Sequence, residues 1–196
     1  MITSTCFLRL LLAFLLLCPL TLGQNQKRQI MQREQLRTLM SGVGVDLPAI
    51  DAWAIQFPIY RQVKLDWADS AKSTSELTSE AQTQAPKVAI VQDWKRSGTL
   101  PRQRSLELAP TLMFVAAVDT SNKLRWWSIM PDPRVVRSET QTATGELRSQ
   151  DYYFTNVTVL VAFPDDPEIA TLRFYHPVWN GTNFDLKPLT VVPLAR

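Results

Sequence analysis

The sequence contains a single histidine, His176, which is the one imidazole that could act as a general base near neutral pH. A serine–histidine–aspartate triad could use it, with Asp165, Asp166 or Asp185 as the carboxylate that orients the ring. However, the chain lacks the Gly-x-Ser-x-Gly motif that presents a nucleophilic serine, and His176 shares strand parity with the apolar Phe174. The pattern therefore favours a packed or hydrogen-bonded histidine at the end of a strand, and we assign no catalytic residue.

Ligands for a metal ion are also scarce. Both cysteines, Cys6 and Cys18, fall within the first 23 residues, so the rest of the chain supports neither thiol chemistry nor cysteine-ligated metals. The turn that carries Asp165, Asp166 and Glu168 lacks the Asp-x-Asp-x-Asp-Gly spacing of a calcium loop, and acidic residues are common in turns. We predict no metal site and no cofactor.

The aromatic residues suggest binding rather than catalysis. Trp126 and Trp127 are consecutive in a predicted strand, so their rings point to opposite faces of the sheet. With neighbouring arginines they form an aromatic and basic patch that could bind a glycan, a peptide or a partner protein. The candidate ligand-binding residues are Arg125, Trp126, Trp127 and Arg134. The alternative is that both tryptophans belong to the core, with the outer one covered by the N-terminal segment around Trp53 and Phe57.

The charge of the chain is modest. There are 21 basic and 18 acidic residues, which gives a formal net charge of +3, well short of the strongly basic balance of a typical nucleic-acid-binding domain. We therefore expect no nucleic-acid partner. The basic residues from Lys95 to Arg104 lie in a segment with Gly98 and Pro101, which favours a solvated loop over a site for anionic envelope polymers.

The first 23 residues have the three parts of an export signal. Arg9 precedes the apolar stretch 10–17, and Thr21 and Gly23 place small residues at positions −3 and −1 of a cut after Gly23. The sequence therefore predicts a signal peptide over 1–23 and a mature protein that is secreted or periplasmic.

Two other interpretations of this leader stay open. The apolar run over 10–22 could be kept as a membrane anchor, although it is shorter than the roughly 20 residues that a spanning helix needs. Cys18 could carry a lipid, although the bulky Leu17 precedes it. We predict no transmembrane helix in the mature chain. Because that chain lacks cysteines, whereas disulfides usually reinforce small secreted animal domains, we favour a bacterial protein in which the glycosylation motifs at Asn156 and Asn180 are coincidental.

The elements that position these residues are mostly predicted to be strands. Residues 24–41 favour a short amphipathic helix that ends at Ser41-Gly42, or alternatively a disordered tail. Residues 69–86 are rich in Ser, Thr and Gln, with Leu77 as the one large apolar side chain, and we interpret them as a flexible loop or linker. Alternating or doubly apolar segments bounded by turn residues predict strands. These strands cover 60–67, 87–94, 112–118, 124–130, 135–139, 156–163, 170–176 and 184–194.

Short strands at regular spacing over 87–196 are typical of an immunoglobulin-like antiparallel β-sandwich, with a small β-barrel as the alternative. The chain then divides into a signal peptide (1–23), an N-terminal segment that is part helical with one strand (24–68), the linker (69–86) and the sandwich domain. We predict an exported, non-enzymatic binding or assembly module of the bacterial cell envelope, whose partner is an envelope protein or a polysaccharide. The alternatives are a secreted hydrolase that uses carboxylates or His176, and a structural accessory domain of a larger envelope complex.

Overall fold

The computed structural model describes residues 33–48, 57–68, 86–100, 103, 106–141 and 144–195. Outside the described residues lie the predicted signal peptide over 1–23, residues 24–32 of the predicted helix or tail, the segment 49–56, and residues 69–85 of the predicted linker. By its internal contacts the chain divides into two units, Met1–Thr38 and Leu39–Arg196.

One helix, α1 (residues 33–42), occurs in the described part of the chain. It ends in a Schellman motif, in which the Val45 N–H donates to the Met40 carbonyl at 2.9 Å and the Gly44 N–H donates to the Ser41 carbonyl at 3.1 Å. Gly44 has a φ of 69°, a left-handed conformation that a residue without Cβ adopts without steric cost. The helix thus ends where the sequence predicted. Within the described ranges, no helix has the length and apolar character that crossing a membrane would require.

The remaining described elements are strands in antiparallel pairs, which confirms the mostly β prediction. Their bounds are β1 (Ile59–Ala68), β2 (Lys87–Ser97), β3 (Leu112–Asp119), β4 (Leu124–Pro131), β5 (Val135–Gln141), β6 (Leu147–Tyr153), β7 (Asn156–Pro164), β8 (Ile169–Trp179) and β9 (Phe184–Pro193). Every predicted strand is present, and β6 is an additional strand that the sequence pattern does not indicate.

These strands form two larger sheets and one ribbon. The three-stranded sheet has the order β2-β1-β7, the four-stranded sheet has the order β4-β3-β8-β9, and β5 pairs with β6 in the ribbon. Both larger sheets have open edges, so the described strands close no barrel. β1, which lies N-terminal to the range 87–196 suggested for the sandwich domain, is the central strand of the three-stranded sheet.

The two larger sheets share one hydrophobic core, to which β1, β3, β7, β8 and β9 contribute. Strand alternation directs Val63, Leu65 and Trp67 of β1 into it. Trp67 meets Phe174 of the other sheet edge-on, with ring centroids 5.5 Å apart. Because the packing of the two sheets removes these alternating apolar side chains from water, their burial is the main force that holds the sheets against each other.

The hairpin predicted at Asn180 joins β8 and β9, but its loop has four residues rather than two. Trp179 pairs with Phe184, and the Asn180 side-chain oxygen accepts the N–H of Thr182 at 3.0 Å and the N–H of Asn183 at 2.8 Å. A side chain that bonds the backbone two and three residues further on stabilises its own turn. The side chain of Asn180 therefore stabilises this four-residue loop.

Candidate functional site

The two adjacent tryptophans of β4 lie on opposite faces of the four-stranded sheet, as the sequence predicts. Trp126 packs against the shared core, and its ring centroid lies 6.5 Å from that of Phe163 in the other sheet. Trp127 points to the outer face and stacks on Phe114, with centroids 5.7 Å apart and 7° between the ring planes. Both tryptophans are half-buried. Each ring also has an aromatic neighbour within the protein.

The outer face of the four-stranded sheet is itself a buried apolar layer. Phe114 and Val118 of β3 point away from the shared core, yet both are fully buried. Tyr175 of β8 is buried beside Phe114, with ring centroids 6.3 Å apart. Burial raises the pKa of Tyr175, and the neighbouring Arg173 opposes this shift through a hydrogen bond and through its charge. Trp127 therefore packs within a second layer.

The chain that follows α1 is attached to the turn between β3 and β4. The Asp46 N–H donates to the Asn122 carbonyl at 3.0 Å, and the Leu124 N–H donates to the Asp46 carbonyl at 2.8 Å. The Asn122 side chain also donates to the carbonyl of Gly44. This segment thus reaches the sheet that carries Trp127. Trp53, which the alternative interpretation places over the outer tryptophan, lies outside the described residues.

Arg125 is bound to the acidic turn between β7 and β8. Its Nη2 lies 2.9 Å from Asp166 Oδ2, and its Nη1 lies 2.7 Å from Glu168 Oε2. In the same turn, Asp165 Oδ2 lies 2.7 Å from the Nζ of Lys95. Two cations of the protein thus pair with the three carboxylates considered as calcium ligands. The described residues contain no group of three or more His, Cys, Asp or Glu suited to a metal.

Arg134 and Asp132 form a buried ion pair just after β4. The Arg134 Nε donates to Asp132 Oδ1 at 2.9 Å and Nη2 donates to Oδ2 at 2.7 Å, which is the bidentate geometry that a guanidinium and a carboxylate prefer. The guanidinium carbon also lies 5.1 Å from the centroid of the Trp67 ring. Asp132, two residues away in the sequence, supplies this carboxylate.

The four predicted binding residues do not form one patch. Arg125 lies near the start of β4, whereas Arg134 follows the turn after its end, and the strand from Arg125 to Pro131 alone spans about 20 Å. Carboxylates hold both guanidinium groups. The structure therefore separates the predicted patch into two local clusters, one at each end of the strand.

His176 is half-buried near the end of β8, and its Nδ1 is buried without a hydrogen-bond partner among the described residues. Burial lowers the pKa of His176 below its usual 6.5; the charge of Asp132 opposes this, and the charges of Arg134 and Lys187 add to it. In a catalytic triad a carboxylate accepts the N–H at Nδ1. Asp132 is instead engaged with Arg134.

The three aspartates considered as orienting groups for His176 are engaged elsewhere. Their partners are Lys95 for Asp165, Arg125 for Asp166 and the Asn180 side chain for Asp185. None of the three candidate aspartates therefore supplies His176 with the carboxylate that a triad requires.

Exposed aromatic side chains instead occur at residues that the sequence patterns did not single out. The exposed fractions are 47% for Tyr152, 53% for Tyr153, 50% for Phe154 and 54% for Trp179. Three of these residues are consecutive, so the run Tyr-Tyr-Phe was visible in the sequence, but without recognition of β6 it had no structural context. We term these four residues the aromatic end.

The ribbon places its aromatic residues beside the end of β4. The Phe154 N–H donates to the carbonyl of Arg134 at 2.8 Å, and Tyr153 pairs with Val135 at the base of the ribbon. The last residues of β6 therefore lie next to the turn in which the buried Arg134 closes one end of the core.

Trp179 lies at the same end of the four-stranded sheet. Leu112 at the start of β3 pairs with Pro131 at the end of β4, and Phe114 pairs with Tyr175 of β8. Because β8 runs antiparallel to β3, Trp179 extends beyond the first residue of β3. Strand register thus places Trp179 and the base of the ribbon at the same end of the four-stranded sheet.

Comparison with known proteins assigns no family to this chain. No protein-family model matches the chain, and no curated protein or solved structure matches it.

Proposed function

We propose that this protein is an exported, non-enzymatic binding or assembly module of the bacterial cell envelope, and that it recognises its partner through the aromatic end. The observation that carries the proposal is the exposure of two tyrosines, a phenylalanine and a tryptophan at one end of the four-stranded sheet. Tyrosine and tryptophan often anchor interfaces because they bury a large area with few rotatable bonds. Strand pairing also fixes the backbone of Tyr152, Tyr153 and Trp179 in advance, which lowers the entropic cost of binding.

The architecture that we propose for this module is an immunoglobulin-like β-sandwich. The four-stranded order β4-β3-β8-β9 and the core shared with the three-stranded sheet support two packed layers. Sandwich domains commonly carry recognition residues on the connections at their ends. Trp179, at the tip of the β8–β9 hairpin, occupies such a position.

The proposed partner is another envelope protein, with a polysaccharide as the alternative. The hydrolase alternative gains no support from His176, since its Nδ1 has no partner among the described residues and the candidate aspartates are engaged elsewhere. An accessory domain of a larger complex would also bind a partner, but through a surface that need not include the aromatic end.

Export is proposed from the residues of the leader, and mass spectrometry tests it. The full-length chain, expressed in a bacterium, is expected to yield a protein that begins at Gln24 in the periplasm or the medium. A protein that keeps residues 1–23 contradicts the proposed cleavage, and an acylated Cys18 at the N-terminus identifies a lipoprotein.

The binding proposal is tested with the full-length chain carrying a C-terminal tag, isolated after crosslinking of intact cells. The test variant is Tyr153→Ser/Trp179→Ser. The control is Leu160→Ser, which removes an apolar side chain that is also 50% exposed but lies on β7 of the other sheet.

Wild type and the Leu160→Ser control are expected to recover the same crosslinked partner, and the double variant is expected to lose most of it. Equal recovery by all three proteins overturns the aromatic end as the binding site. That outcome favours the accessory domain, which docks through another surface. Recovery of envelope glycan rather than a protein, with the same loss in the double variant, assigns the surface to a polysaccharide.

A further inference from the structure

The edges of the β5–β6 ribbon lack two common forms of protection, a bulge and a proline. Seven consecutive residue pairs run without a register shift, and neither strand contains proline, lysine or glycine. By contrast, register shifts place a bulge in β2, β4 and β9, which are three of the four edge strands of the larger sheets. Bulges, prolines and charged side chains, especially lysine, are common means by which edge strands avoid pairing with another chain.

Pairing with a further strand would stabilise the ribbon. A two-stranded hairpin alone is marginally stable in water, whereas three or more strands support one another. β5 pairs with β6 on one side, and no other strand of the described residues pairs with it. Val136, Arg137 and Glu139 of β5 are exposed. The second edge of β5 is therefore accessible to another strand.

The charges of β5 are arranged symmetrically about its middle residue. β5 has seven residues, and Ser138 is at the centre. Consider two β5 strands paired antiparallel about a two-fold axis that passes between their two Ser138 residues. Arg137 of each strand then lies directly opposite Glu139 of the other. Arg137 and Glu139 share a face of the strand, so two oppositely charged cross-strand pairs form at once. The same register overlaps the whole strand and places Val136 opposite Thr140.

We infer that two copies of this chain dimerise through their β5 edges in this register and form a four-stranded sheet from two ribbons. A two-fold interface requires a surface that is complementary to itself, and the order of charges in β5 meets that condition. Arg137 Nε already lies 3.6 Å from Asp151 Oδ1 of its own ribbon, so the dimer flanks each guanidinium with a carboxylate from each copy. The inference is independent of the aromatic end.

The test is the mass of the purified protein in solution, produced from the full-length chain and measured by sedimentation equilibrium at several concentrations. Wild type is expected to be a dimer. In Glu139→Arg both cross-strand pairs would join two positive groups, and in Arg137→Glu both would join two negative groups. Each substitution is expected to raise the Kd of the dimer about tenfold or more.

A matched control and a mixture separate this interface from misfolding. Glu107→Arg makes the same change of charge at an exposed position before β3, and it is expected to leave the Kd unchanged. When Glu139→Arg is mixed with Arg137→Glu, opposite charges face each other again in both pairs. The mixture is therefore expected to form a heterodimer, which native mass spectrometry identifies by its intermediate mass.

Three results would overturn the inference. The first is a wild-type protein that stays monomeric across the concentration series. The second is a dimer whose Kd is the same in Glu139→Arg as in wild type. The third is a mixture of the two folded variants, with thermal unfolding transitions like that of wild type, that forms no heterodimer.

Discussion

The guanidinium carbon of Arg134 lies 5.1 Å from the centroid of the Trp67 ring, and both side chains are buried. Asp132 holds the same guanidinium through two hydrogen bonds. Burying a charge is costly unless it is paired and hydrogen-bonded. Here the Asp132 carboxylate neutralises the Arg134 guanidinium, and the indole of Trp67 packs against it. A buried ion pair therefore lies at this end of the core.

Replacing Asp132 with alanine is expected to lower the free energy of unfolding by about 3–5 kcal/mol, because it leaves the Arg134 charge buried without its partner. Urea unfolding followed by tryptophan fluorescence measures the change. The double variant Asp132→Ala/Arg134→Met is expected to regain at least half of the loss, because it also removes the charge. A single-variant loss below about 1 kcal/mol contradicts a pair that is buried as a unit.

Replacing Asp166 with alanine is expected to lower the free energy of unfolding by about 2–3 kcal/mol, since the buried carboxylate accepts hydrogen bonds from Arg125 and from the Glu168 N–H. Glu168→Ala is the control, because its carboxylate meets the same arginine but is mostly exposed. We expect a loss below about 1 kcal/mol there. Millimolar calcium is expected to leave the melting temperature of the wild type unchanged, and a clear rise would indicate that the turn binds the ion.

Replacing Trp127 with alanine is expected to act on stability rather than on binding. The substitution removes the ring that stacks on Phe114, and the expected loss in the free energy of unfolding is about 2–4 kcal/mol. Partner recovery per folded molecule is expected to match that of wild type. The opposite pattern, with unchanged stability and lost recovery, would move the binding surface to Trp127.

Stability is expected to fall as the pH decreases below 6.5. Burial lowers the pKa of His176 in the folded protein, so the unfolded chain binds more protons than the folded one between the folded pKa and 6.5. The stabilisation associated with the neutral imidazole is complete above pH 6.5, is lost as the pH falls, and levels off below the folded pKa. Urea unfolding between about pH 8 and pH 5 is expected to show this pH-dependent loss of stability in wild type and not in His176→Asn. Because the chain has one histidine, its ring protons give a single NMR titration curve that checks the lowered pKa directly.

The strands were predictable where one face of a strand enters the core. In β7, for example, Val159, Val161 and Phe163 face the core at every second position, and this alternation predicted the strand. β6 belongs to a ribbon outside both larger sheets, so its sequence needs no alternating apolar face. The sequence therefore contained no periodic signal from which β6 could be predicted.

The site was predictable only in part because its contacts depend on strand register. Arg125 and Asp166 are 41 residues apart in sequence, and no local pattern gives that pairing. The predicted patch also assumed that the outer face of β4 meets solvent. The neighbouring β3 is apolar on both faces and buried throughout its middle, and this pattern indicated that both faces of the sheet are covered.

β1 lies between β2 and β7, and its Asp66 accepts a hydrogen bond from Thr158, 92 residues further along the chain. The strand at the centre of this sheet therefore has its second neighbour only in a chain that extends to Pro164. A nascent chain that stops earlier lacks the β7 residues Val159, Val161 and Phe163 of the common core. Because long loops must close before β1 and β7 can make these contacts, we expect the three-stranded sheet to form late in folding.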